Sequence, residues 1–132
     1  MTSLAPLAVA LLMVAGGVGA AARFVIDGLV NRRWQGGFPV ATLVINATGS
    51  LLIGVLAGVS GTSSSGITAE AYAVVATGFC GGYTTFSTAM VESVRLAREG
   101  AGRTAAFAAL GMLLVCVAAA SLGVLLAAAL GR

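Results

Sequence analysis

At 132 residues, 59% hydrophobic and 8% charged, the chain has too little polar surface to coat a soluble globule, and an all-α integral membrane protein is expected. Its net charge of +3 does not point to nucleic acid, because the arginines sit beside apolar runs with no aromatic-basic surface around them; lipid headgroups and topology control account for them. With no histidine, and no Asp, Glu and Cys at ligand spacing, His-dependent catalysis and His metal sites are excluded and no enzyme is expected.

The first apolar run, Leu4 to Ala22, is uncharged and close to the roughly twenty residues that cross a bilayer as a helix. Met1-Thr2-Ser3 carries no basic residue and the run exceeds a signal-peptide core, so a retained span over about residues 4–24 is expected. Gly16, Gly19 and Ala20 would let another helix approach closely. Arg23 ends the run, either snorkelling to the headgroups or shaping a vestibule. Asp27 to Gly37 reads as a polar loop with Arg32, Arg33 and an interfacial Trp34.

Pro39 suits the first turn of a second span, about residues 38–59. Thr42, Asn46, Ser50, Gly54 and Gly58 recur every fourth residue there, drawing a polar or small stripe that must face protein or water. Asn46 on its own reads first as an interhelical hydrogen bond. Ser60 to Gly66 is a flexible loop without positive charge.

The third span, about residues 69–96, contains Gly78, Gly81 and Gly82 followed by Thr84, Thr85, Ser87 and Thr88. Each glycine costs a helix roughly 0.8–1 kcal/mol against alanine, which predicts an interruption around Gly78 to Tyr83. In hydrocarbon a break survives only where it is buried in protein or lines a polar path. Beyond it, Thr85, Thr88 and Glu92 share one helix face. Glu92 is either a solvated interfacial acid or a gating or vestibule group. After the Arg95 to Arg103 loop, an Ala- and Gly-rich fourth span covers about residues 104–130. The two cysteines, Cys80 and Cys116, lie inside apolar spans as small hydrophobes, and no disulfide framework is implied. One four-helix transmembrane domain accounts for the whole of 1–132, and so small a bundle should need a second subunit to enclose a conduit.

The stretch from Gly78 to Met90 closely resembles the signature of the CrcB/Fluc fluoride channels, G-F-x-G-G-x-T-T-F-S-T-F. The resemblance extends to Gly16 through Phe24, Phe38 through Leu43, Asn46 through Ser50, and Glu92. It implies four transmembrane helices with a broken third, an antiparallel dual-topology dimer, and passive export of fluoride across a bacterial cell membrane. It makes Asn46 and Phe86 pore residues, with the hydroxyls of Thr85, Ser87 and Thr88 beside them. It also implies a central structural sodium (Na+) bound by backbone oxygens of Gly81 and Thr84. A phenylalanine in a membrane is ordinarily packing, but a ring has a positive edge that can meet an anion. The chain departs from the family at Ala89, where the signature has a second phenylalanine, and at Ala108, Met112 and Cys116, where polar residues are common.

The charge pattern bears on the partner. Arg32, Arg33, Arg95, Arg98 and Arg103 fall on one side of a four-span layout and only Arg132 on the other, which fixes the termini outside. A chain with one preferred orientation would pair with an oppositely oriented homologue, with a homodimer as the alternative. Two other functions remain open: a non-conducting assembly subunit, favoured by Ala89, and a small multidrug or cation exporter. The exporter would need an ionisable carboxylate deep in a span, where neither Glu70 nor Glu92 is expected.

Overall fold

The computed structural model describes residues 5–61 and 66–130, and every described element is helical. Among the described residues, three uninterrupted helices are long and apolar enough to cross a bilayer: α1 (Pro6–Arg33), α2 (Val40–Ser60) and the last helix, α6 (Gly102–Leu130). Their outer faces carry exposed Leu, Val and Phe side chains in number, as expected of a multi-pass membrane protein whose solvent is lipid. Between α2 and α6 the chain is divided into α3 (Ala69–Tyr72), a π-helical segment (Ala73–Phe79), α4 (Cys80–Tyr83) and α5 (Phe86–Arg98). Most of the Ser60 to Gly66 loop, and Arg132, lie outside the described residues.

The expected polar loop at Asp27 to Gly37 is helix as far as Arg33, and only residues 34–39 connect α1 to α2. The polar side chains extend the helix instead of ending it. Asn31 Nδ2 donates to Asp27 Oδ2 one turn earlier at 3.1 Å, and Arg32 and Arg33 fall in the last turn, where cations meet the negative end of the helix dipole. At 1.5 Å per residue, 28 residues reach about 42 Å, which carries these groups beyond the hydrocarbon. Pro39 is the N-cap of α2, one position ahead of its first turn.

Packing is organised by glycine. α2 lies along α6, and a Cβ on Gly54 would overlap the Ala120 carbonyl, while one on Gly123 would overlap that of Leu51. α1 lies along the π-helical segment and α4 in the same way, with Gly82 against the Gly16 carbonyl and Gly19 against that of Phe79. Without a hydrophobic drive between helices in lipid, such close backbone approach is how membrane helices gain contact energy.

The α5–α6 turn closes through Gly100 at φ +83°, with the Gly100 amide donating to Ala97 O at 3.2 Å and Ala101 to Leu96 O at 2.9 Å. This is a Schellman cap, and its apolar contact is present because Ala101 packs against Leu96. Phe38, from the α1–α2 connection, joins the same cluster with Ala105 and Ala108. The two arginine-bearing connections are therefore at one end of the bundle.

Candidate functional site

The interruption falls later than glycine content predicts. Gly78, Gly81 and Gly82 are all helical, within the π-helical segment and α4. The chain leaves the helix at Thr84 (ψ 161°) and Thr85 (φ −149°, ψ 120°), two residues in extended conformation with no glycine at either. Long-range side chains hold it there. Asn46 in α2 sets its carboxamide against Thr85 as a neighbouring strand would: Thr85 N donates to Oδ1 at 2.7 Å and Nδ2 donates to Thr85 O at 2.8 Å. Leaving either backbone group buried and unpaired would cost about 1–3 kcal/mol, a cost that this one side chain removes for both.

The remaining valences are satisfied locally. Thr85 caps α5, its hydroxyl accepting from Thr88 N at 3.2 Å and donating to Thr88 Oγ1 at 2.9 Å. Thr84 N and Thr84 Oγ1 both donate to Cys80 O at 2.8 Å. Because the Thr85 amide goes to Asn46, Gly81 O loses the donor that a continuing α-helix would have given it. Arg23 reaches the break from α1, with Nη1 donating to Thr84 O at 3.3 Å. This contact matches neither of its two sequence readings, snorkelling or shaping a vestibule: the guanidinium is turned toward the backbone of the break.

Two cavities meet at Thr85. One, of about 250 Å³, is lined by Asn46, Ser50, Phe86, Ala89, Met112 and Cys116 among others. The other, of about 380 Å³, has Arg23, Asp27, Thr42 and Thr88 in its wall. The α2 stripe faces these spaces and α6, as its period requires: Thr42 and Asn46 are buried, Ser50 lines the first cavity and Gly54 abuts α6.

The sequence candidates are distributed unevenly. Phe86, 78% exposed, stands on the outer surface of the single chain. Ser87 and Thr88 are exposed beside it, whereas Thr85 is buried. Asn46 Nδ2 also lies 3.3 Å from Met112 Sδ, so both its hydrogens are engaged within the chain. Glu92 is half-buried midway along α5 and accepts a 2.7 Å hydrogen bond from Thr42 Oγ1. Gly81 has open space where a side chain would stand. One contact at the break had no local sequence signal, the hydrogen bond that Tyr83 Oη shares with Thr48 Oγ1 at 2.9 Å; Tyr83 also stacks on Phe79 one turn earlier, ring centroids 5.8 Å apart.

Residues 10–124 match the family described as CrcB-like protein, Camphor Resistance (CrcB). The chain belongs to this family. The CrcB match takes in Arg23, Asn46, the whole break and most of α6. Among CrcB-type relatives, the chain is 45% identical over 123 residues to "Fluoride-specific ion channel FluC 1" of Leifsonia xyli subsp. xyli, covering 93% of this chain and 86% of that protein. It is 43% identical over 113 residues to "Fluoride-specific ion channel FluC 2" of Cutibacterium acnes, covering 86% of this chain and 91% of that protein. It is also 40% identical over 122 residues to "Fluoride-specific ion channel FluC 1" of Streptomyces avermitilis, covering 91% and 96% respectively.

Proposed function

We propose that the chain is a subunit of a fluoride-specific channel in a bacterial cell membrane, passively lowering cytoplasmic fluoride. The observation that carries this reading is the likeness, over nearly the whole chain, to relatives named as fluoride-specific channels. The side-chain-held break gives that likeness a physical locus. Residues 69–98 form the fourth crossing together with α1, α2 and α6, both termini lie outside, and the arginine-bearing end faces the cytoplasm.

An anion entering low dielectric must exchange water for fixed donors, since its bare transfer costs tens of kcal/mol. Asn46 acts here indirectly, by holding the break open, because both its hydrogens are already engaged. Thr85 donates its hydroxyl hydrogen to Thr88 Oγ1 in a hydrogen bond, which leaves the Thr88 hydroxyl hydrogen free to meet the ion. Ser87 and the positive edge of the exposed Phe86 ring complete the set on this chain. A negative cell interior drives the anion outward by about 2.3 kcal/mol per 100 mV. Arg23 and Glu92 border the approach to the break.

Backbone oxygens of Gly81 and Thr84 would hold the sodium, and hard carbonyl oxygens freed from helix bonding suit a hard cation. Gly81 O meets that requirement through the diversion of the Thr85 amide, whereas Thr84 O already accepts from Arg23. Two oxygens are fewer than a hard cation takes, so the site is complete only with a second subunit. When bound, the ion supplies a fixed positive charge at the dimer centre.

The second subunit is an oppositely oriented homologue, since five arginines at one end give this chain a preferred orientation. A specific observation also supports the narrower role of an assembly subunit. The second ring of the signature is absent at Ala89, and that position is buried. Reconstitution in liposomes, alone and with a homologue, tests both readings. Fluoride should leave down its gradient while chloride is retained, and equal fluxes of the two would overturn the channel reading. Single cysteines in the two arginine-bearing connections should label from one side only; labelling from both sides, with fluoride efflux from the chain alone, would establish the homodimer.

A further inference from the structure

The 250 Å³ cavity beside the break gathers half of the chain's sulfur-bearing side chains. Of four methionines and two cysteines in the sequence, Met90, Met112 and Cys116 all line this one space. Met112 and Cys116 are one turn apart on α6, so they share a helix face with Cβ atoms about 5–6 Å apart, and Met90 approaches from α5. Met112 Sδ is held in the wall by Asn46 Nδ2 at 3.3 Å. Among the described residues no carboxylate lines the cavity, which otherwise offers amide, hydroxyl and apolar groups.

We infer that this cavity is a site for a soft monovalent cation of the copper(I) or silver(I) class, bound by Cys116 Sγ and Met112 Sδ with Met90 Sδ as a third donor. Thiolate and thioether ligands select soft ions, and the lack of carboxylate disfavours hard divalent ones. Binding replaces the Cys116 S–H bond by an S–metal bond and releases the proton to solvent, so the loaded site carries no net charge. That neutrality matters inside a membrane protein, where an uncompensated cation would be expelled. The inference rests on the cavity alone and does not depend on the fluoride reading.

The test is silver binding to the purified full chain in detergent, in chloride-free nitrate buffer, by titration calorimetry and by metal analysis after gel filtration. One Ag+ per chain is expected, with about one proton released and affinity rising with pH. Cys116→Ser and Met112→Leu, which preserve size, should each weaken binding by at least the roughly tenfold that even outer-shell partners of metal sites carry. Met13→Leu, at an exposed position on α1, and Cys80→Ala, at a fully buried thiol, should leave binding unchanged. Failure of the parent protein to retain silver would overturn the inference. So would binding that survives Cys116→Ser but is lost in Cys80→Ala.

Discussion

The α2–α6 pair and the segment from α3 to α5 are both rich in glycine, yet one is two unbroken helices and the other is cut in two. Glycine does the same job in both. Gly54 and Gly123 admit the backbone of a neighbouring helix, and Gly82 and Gly19 do so for α4 and α1. The difference lies at Thr84 and Thr85, where Asn46, Arg23 and Thr88 take over hydrogen bonds that a helix would have closed on itself. In this protein glycine marks where helices touch, and a polar side chain from another helix marks where one is opened.

The strongest way to break that comparison is to remove the splint. Asn46→Leu keeps the volume but strands the amide and carbonyl of Thr85, each worth about 1–3 kcal/mol when buried and unpaired. Thermal unfolding in detergent should show a large loss of stability. A variant as stable as the parent would mean that the break does not depend on Asn46.

Two adjacent glycines separate packing from backbone freedom. A Cβ on Gly82 would overlap the Gly16 carbonyl, whereas one on Gly81 meets open space. Gly82→Ala should therefore cost about 1–3 kcal/mol by overpacking. Gly81→Ala should change the stability of the single chain by no more than about 0.5 kcal/mol. If Gly81→Ala nevertheless weakens subunit association, measured by dilution and cross-linking, the open space beside Gly81 is filled by the partner. Equal destabilisation by both would show that helix propensity, not contact, governs this segment.

The α2 stripe was legible from its period of four, and so was its inward orientation, because a polar series in a membrane helix has nowhere else to go. The position of the break was misplaced toward the glycines. Propensity penalties near 1 kcal/mol per residue are outweighed once each glycine packs against α1, and the true determinant, Asn46, lies 39 residues away from Thr85. A local sign did exist: Thr85 three residues before Thr88 is an N-cap pattern opening a new helix at Phe86. The end of α1 was misread for a similar reason, since Asp27, Asn31, Arg32 and Arg33 look like loop composition but sit at the spacings that prolong and terminate a helix.

That N-cap gives a smaller test. Thr85→Ala should lose about 1 kcal/mol through the Thr88 amide, while Thr85→Ser, which keeps the accepting oxygen, should retain most of it. Denaturant titration of the two variants distinguishes them, and identical losses would assign the effect to packing of the threonine methyl group.

The smallest effect on the fold, and a decisive one for conduction, is expected at Phe86. Its ring is 78% exposed in the single chain, so Phe86→Ile removes little intrachain packing and should leave the melting temperature of the chain near that of the parent. Isoleucine retains apolar bulk against lipid or a second subunit but has no positive ring edge to offer an anion. Fluoride efflux from liposomes should therefore fall while dimer recovery from gel filtration stays the same. Unchanged flux with an intact dimer would assign the ring to packing and place the ion's donors on the Thr88 side of the break. Loss of the dimer together with the flux would make Phe86 an anchor between subunits, and the comparison of the two glycine-rich regions would then extend across the interface.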